Sequence, residues 1–291
     1  MASAELRIIR RRIKTVESTT KITRAMELIA TARIGKAQSR LNAARPYAEK
    51  LDEVIRNVSG SGGAQHPLLE RRAVKSVGAL VVTSDRGLAG GYNTGVIRLA
   101  ERKIIEYRNQ GVGLRIYAVG QKALSYFRYR NYQIERSWLG VTDLPTFTNA
   151  RVIAATILND YVEEAVDAVE VFTTRYVSAL TQLAVHNTLL PIEAPSVGQD
   201  ATGAVAYSFE PSPEDILSRL LPRYLEGAMF QVLLEASAAE HAARRRAMKA
   251  ATENAEELTR ILTREANQAR QAEITTEISE IVGGAEALSG G

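Results

Sequence analysis

Cysteine is missing altogether from this chain of 291 residues. Its absence excludes disulfides, a thiolate metal site, a catalytic thiol and regulation by thiol chemistry. Histidine is scarce: His66, His186 and His241 stand far apart, none at a spacing that would bring two ligands to one metal. Neither a metal nor a cofactor is expected. Aromatic residues make up 6% of the chain, and Tyr47 is the only one before residue 92, so the basic N-terminal region lacks the rings that stack on unpaired bases. Long apolar runs are also missing. No stretch approaches the roughly 20 residues that cross a bilayer, and Met1 to Glu17 alternate apolar with charged residues where a secretory leader has an apolar core. The alternation continues into a long helical pattern, so no removable leader is expected, and the chain reads as a bacterial, cytosol-facing protein.

What the chain does contain is charge in one place and periodicity at both ends. The formal net charge of +4 hides twelve Lys or Arg against four Glu in residues 1 to 50. Such a segment is a solvated helix face, a nucleic-acid surface or a surface for an acidic protein. From Leu6 to Val58 a single 3,4 spacing runs through 6, 9, 13, 16, 20, 23, 27, 30, 34, 37, 41, 44, 48, 51, 55 and 58, and thirteen of these sixteen positions are apolar. Sustained over seven heptads, the pattern predicts a helix wound around a partner helix. Pro46 is expected to bend it, not stop it, and the glycines of Ser59 to Gly63 to end it. The exceptions are Thr20, Thr23 and Glu27, beside which a second stripe of Ile22, Met26 and Ile29 is displaced by one residue. The apolar face is therefore expected to rotate there, because the partner helix changes side or because a third body makes contact.

Residues 76–193 read differently. Strands are predicted at Val77–Thr83, Leu114–Val119, Tyr132–Trp138 and Ala168–Tyr176, and helices at Asn93–Asn109, Gln121–Tyr129 and Asn149–Val166. This alternation predicts an α/β domain with a largely parallel, Rossmann-like sheet. The turn Ser84 to Gly91 is Gly-rich, but Gly87, Gly90 and Gly91 fit neither dinucleotide nor P-loop spacing, so Arg86 and these glycines are read as a structural turn.

Ser212-Pro213-Glu214-Asp215 is a helix start, with a capping serine, proline at the first position and acids in the first turn. The helix is expected to reach Val282, ahead of Gly283-Gly284, with a kink at Pro222. Nine alanines between Ala236 and Ala255 give it a slim surface. At 1.5 Å per residue the two terminal helices are about 80 and about 100 Å long, too long to lie inside a domain of roughly 120 residues. They are expected to run antiparallel as a protruding rod whose tip, Gln271 to Gly291, lacks a partner helix and needs a protein sleeve. The expected division is 1–59 N-terminal coiled-coil helix, 60–75 linker, 76–193 α/β domain, 194–212 linker or foot segment, and 213–291 C-terminal coiled-coil helix.

Four segments carry a family resemblance. They are Lys21 to Arg33 (KITRAMELIATAR), Thr83 to Asn93 (TSDRGLAGGYN), Ala247 to Asn254 (AMKAATEN) and Ala269 to Ala285 (ARQAEITTEISEIVGGA). In this order, over nearly the whole chain, the sequence resembles the gamma subunit of bacterial F-type ATP synthase. The resemblance implies a non-catalytic rotor shaft, turning inside a hexamer of alternating alpha and beta subunits, with the α/β domain standing with the epsilon subunit on the c-subunit ring. It implies a peripheral position on the cytoplasmic face of the plasma membrane, with no membrane insertion and no nucleic acid. Position by position, Met26 matches the methionine whose replacement by a cation disturbs coupling in the family, flanked by Lys21, Arg24 and Arg33. Arg270, Gln271, Thr275 and Glu277 match the group that contacts the beta subunit. Tyr207 and Glu210 are expected to face epsilon or the c ring. The cysteine pair of chloroplast members is missing, so redox switching is not expected.

Two other classes stay open on the sequence. One is a nucleotide-binding α/β enzyme with helical arms, for which no phosphate motif or acid-base group can be assembled. The other is a basic coiled-coil scaffold or nucleic-acid-binding protein.

Overall fold

The computed structural model of the protein describes residues 4–60, 66–192 and 212–289. A helix α1 (Ala4–Gly60) opens the chain and a helix α5 (Pro213–Ser289) closes it. Between them come β1 (Ser76–Val82), α2 (Tyr92–Asn109), β2 (Gly113–Val119), α3 (Gln121–Tyr129), β3 (Ile134–Trp138), α4 (Phe147–Val162), β4 (Ala168–Tyr176) and β5 (Gln182–Leu190).

The strands form one sheet in the order β3-β2-β1-β4-β5. The first four are parallel to their neighbours, and β5 runs antiparallel along β4. The expected Rossmann-like sheet is present, with an edge strand that the sequence did not announce. Most of β5 is exposed and its burial does not alternate, so no two-residue period marked it. β1, central and buried along six of its seven residues, is the continuous apolar run of a sheet covered on both faces. One face, through Ala79, Val81 and Ile116, packs on α2 and α3. The other, through Leu80, Val82 and Val171, packs on α4, on Leu51, Ile55 and Val58 of α1, and on Leu217 to Leu233 of α5.

Several boundaries move for local reasons. α4 starts at Phe147 because Thr146 and Asn149 form a reciprocal capping box, and it stops four residues early, with Glu164 at φ +57°. α5 starts as expected, Ser212 Oγ accepting from Asp215 N at 3.2 Å. It then continues through Gly283 and Gly284, against expectation. An exposed helical glycine costs about 1 kcal/mol, and no proline follows to forbid the next turn. α1 runs through Pro46 without a stop.

The chain forms two compact units, one of Met1–Ala30 with Arg245–Gly291 and one of Thr31–Arg244. In the first, α1 and α5 form an antiparallel coiled coil in which Thr23 meets Thr252, hydroxyl to hydroxyl at 2.6 Å. All sixteen predicted seam positions of α1 are buried or half-buried. The apolar face does not rotate at Thr20 to Glu27. The seam runs on through these polar residues because the Thr20 and Thr23 hydroxyls donate to Val16 O and Thr20 O of their own helix (3.0 and 3.1 Å). Ile22, Leu28 and Ile29 stay outside, each more than half exposed. Nineteen residues back from Thr23 is Ala4, and nineteen on from Thr252 is Gln271. Accordingly, among the described side chains the last buried one of α5 is Ala266, and every side chain from Ile274 to Ala285 is exposed.

Candidate functional site

In a doubly wound sheet, ligands bind at the carboxyl ends of the strands, where the strand order reverses. Here that point lies between β1 and β4. The turn after β1 is built from its own side chains: Ser84 N donates to Asn93 Oδ1 (2.9 Å) and Ser84 Oγ to Arg86 O (2.6 Å). Thr83 Oγ1 accepts from Ala123 N at 2.8 Å, joining the turn to α3. Asp85 accepts from Gln121 N (3.2 Å) at the positive end of α3 and from Thr142 Oγ1 (3.1 Å). Gly90 adopts φ +54° and Gly91 caps α2. The Arg86 side chain is exposed.

The crevice is filled by the chain itself. Ala239 and Ala243 of α5 sit against Ala89 and Tyr92 of the turn and Tyr176 at the end of β4. Their missing side chains let the helix come close. Arg244 Nη2 then donates to Gly87 O (3.2 Å) and pairs with Glu240 Oε1 (2.7 Å), both residues being buried. One helical face away, Ser237 Oγ and His241 Nε2 meet Asp143 O at 3.3 and 3.2 Å, and the Asp143 carboxylate is paired with Arg33 of α1.

Burial fixes the charge states. Desolvation holds the His241 pKa below the ordinary 6.5. A neutral ring whose Nε2–H donates to Asp143 O leaves Nδ1 to accept from Arg244 Nη1 at 3.4 Å, so partners and titration agree on one tautomer. Desolvation also raises Glu240, and Arg244 opposes that rise. Glu240 Oε2 and the Tyr92 hydroxyl are buried without hydrogen-bond partners. Burial is the largest cause of the strongly raised Tyr92 pKa, with the Glu240 charge adding to it.

The sequence-predicted contact residues fall in three places. In the coiled-coil unit Lys21 and Arg24 are exposed and Met26 is half-buried, beside the exposed Ile22 and Ile29. Also in that unit, Arg270, Gln271, Thr275 and Glu277 are exposed, along with Ile274, Ile278 and Ile281. Arg33 belongs instead to the α/β unit, where Asp143 engages its guanidinium. Tyr207 and Glu210 lie outside the described residues. The buried Glu240, His241 and Arg244, with the half-buried Asp143, escaped the sequence reading. Its one trace is a set of charged and polar residues at 240, 241 and 244 inside an alanine-rich helix face.

The fold and site define an antiparallel helical pair continuous with an α/β domain whose ligand crevice is closed by its own helix. Residues 5–288 match the family model described as ATP synthase. The chain is 46% identical over 304 residues to the ATP synthase gamma chain of Mycolicibacterium smegmatis, covering 99% of each. It is 47% identical over 292 residues to that of Acidothermus cellulolyticus, covering 98% of this chain and 97% of the other. A chain of the Euglena gracilis mitochondrial ATP synthase matches with a TM-score of 0.67 at 17% identity, over 98% of this chain and 94% of that one. One from the Tetrahymena thermophila central stalk and c ring matches with 0.60 at 23% identity, over 79% and 99%. The chain belongs to the ATP synthase gamma-chain family. Among the described residues, no helix is long and apolar enough to cross a membrane.

Proposed function

We propose that this chain is the central rotor shaft of the F1 sector of a proton-translocating ATP synthase. It does no chemistry. Proton flow through the c ring turns it, and its eccentric helices drive the beta sites through their conformational cycle. The observation that carries this reading is the end of α5, twelve consecutive exposed positions from Ile274 to Ala285 that include Ile274, Ile278, Ile281 and Val282. A single helix with such a stripe is marginal in water and calls for a surrounding sleeve. A hexamer of alpha and beta subunits supplies one. The filled crevice speaks against a nucleotide-using enzyme.

On this reading the helical segments 1–59 and 213–291 form the shaft, with 60–75 as linker. The α/β domain 76–193 and segment 194–212, with Tyr207 and Glu210, form the foot on epsilon and the c ring. Lys21, Arg24, Met26, Arg270, Gln271, Thr275 and Glu277 face the beta subunits, whereas Arg33 is taken up by Asp143. The complex works at the cytoplasmic face of the bacterial plasma membrane. The test is assembly with alpha and beta subunits followed by Met26→Lys. The variant should still assemble and hydrolyse ATP but lose much of its coupling between proton transport and synthesis. Full coupling would remove Met26 from the contact. Failure to co-purify with alpha and beta, together with salt-dependent affinity for duplex DNA, would favour the scaffold reading instead.

A further inference from the structure

A shaft transmits torque only if the body that is turned and the helix that pushes are joined against rotation. We infer that Glu240, His241 and Arg244 of α5, with Asp143 and Arg33, are that joint, locking α5 to the α/β domain so that the two turn as one body. The inference rests on the rotor reading.

Earlier along α5 the helix packs on the domain's core through the apolar Leu217, Leu221, Leu225, Met229 and Leu233. Apolar burial resists separation but has no direction, so a helix held by it alone can roll or slide at little energetic cost. Charge-assisted hydrogen bonds are directional and short. Arg244 Nη2 reaches across to the domain at Gly87 O, 3.2 Å away, while Glu240 Oε1 at 2.7 Å and His241 Nδ1 at 3.4 Å, both on α5 itself, hold the guanidinium in that orientation. A rotation of α5 about its axis carries the guanidinium off Gly87 O. His241 Nε2 and Ser237 Oγ grip Asp143 O on another segment of the domain, and Asp143 holds Arg33 of α1. Both helices are thereby tied to the same domain.

Position supports the assignment. Arg244 is the last residue of the α/β unit, so the bonds sit where α5 ends its run on the domain. Burying an ion pair seldom adds stability over a well-packed apolar pair, and a use in fixing one arrangement explains its presence better than stability does.

The absence of cysteine makes the test direct: Tyr129→Cys, at a position 85% exposed, gives the α/β domain one handle for a bead. The complex assembled with alpha and beta subunits is watched turning under ATP. In the same background, Glu240→Met with Arg244→Met removes both charges and keeps apolar volume, so the chain stays folded. We expect unloaded ATP hydrolysis to persist while the angular stiffness of the stalled bead falls about two-fold and amide exchange in 84–91 and 139–146 speeds up about ten-fold. Should the double variant misfold, Arg244→Lys keeps the buried charge, loses the three-way fork and is expected to loosen the bead in the same direction. Unchanged stiffness and exchange in a folded variant overturn the joint alone. A wild-type bead that does not turn overturns the rotor reading, and the joint with it.

Discussion

Gly120 holds the turn after β1 in place, and replacing it with alanine tests the geometry of the filled crevice. It sits between β2 and α3 at φ +89°, and its N–H donates to Trp138 O at 2.9 Å. A Cβ there would lie 2.2 Å from Thr83 O and 2.8 Å from Thr83 C, which are backbone atoms and cannot rotate away. Thr83 cannot retreat either, since its N–H donates to Val119 O at 2.9 Å and its hydroxyl accepts from Ala123 N. With ψ at 147° this backbone conformation is open essentially to glycine alone and costs an alanine about 1–3 kcal/mol. Overpacking against fixed atoms adds about 1–3 kcal/mol. At about 2–4 °C per kcal/mol for a body of this size, Gly120→Ala should lower the melting temperature of the full chain by about 10 °C. Gly111→Ala is the control, because Gly111 has a similar φ of +73° with nothing within 4 Å of its would-be Cβ. It should lose only the conformational part, about 2–8 °C. Calorimetric melts of the two variants decide the matter. Equal losses would refute the close approach of the β2–α3 turn to Thr83.

Two further predictions concern buried polar groups. Thr23→Val and Thr252→Val should each cost about 1 kcal/mol, and the double variant less than their sum, because the first substitution already removes the 2.6 Å hydroxyl contact. A double-mutant cycle from thermal unfolding measures this, and strict additivity would show that the seam contact contributes nothing. His241, lowered below 6.5 by burial and facing Asp143, Arg244 and Arg33, sets a pH dependence. As pH falls below about 6.5 the unfolded chain binds the proton first, so the stability His241 contributes is present above that pH and lost below it. Glu240, raised above 4.5, has the opposite slope. The comparison of wild type with His241→Gln between pH 7 and 5.5 therefore isolates the histidine: the variant should lose less stability over that range. Parallel curves would mean that His241 does not titrate as its burial requires.

Periodicity made much of the fold legible. An amphipathic helix has to repeat every three or four residues to keep one face on its partner, so the seam of α1 was readable from Leu6 to Val58, and all sixteen positions turned inward. The cap at Ser212, the order of strands and helices through β4 and the turn at Gly90 follow from local backbone chemistry in the same way. Local rules also misled. The threonines of the seam looked like a rotation of the apolar face, since a sequence does not show that a hydroxyl can be satisfied by the carbonyl one turn back and by Thr252 across the interface.

The charged anchor of α5 had no such local rule. Arg244 and Gly87 are 157 residues apart, and Arg33 and Asp143 belong to a helix and a connecting segment whose meeting no periodicity announces. The sequence by itself determined the helices, the core faces and the family. Only the tertiary structure decided that the ligand crevice of the sheet is closed by an alanine face and a buried ion pair, because that depends on long-range packing of small residues against a turn, and composition along the chain does not record it.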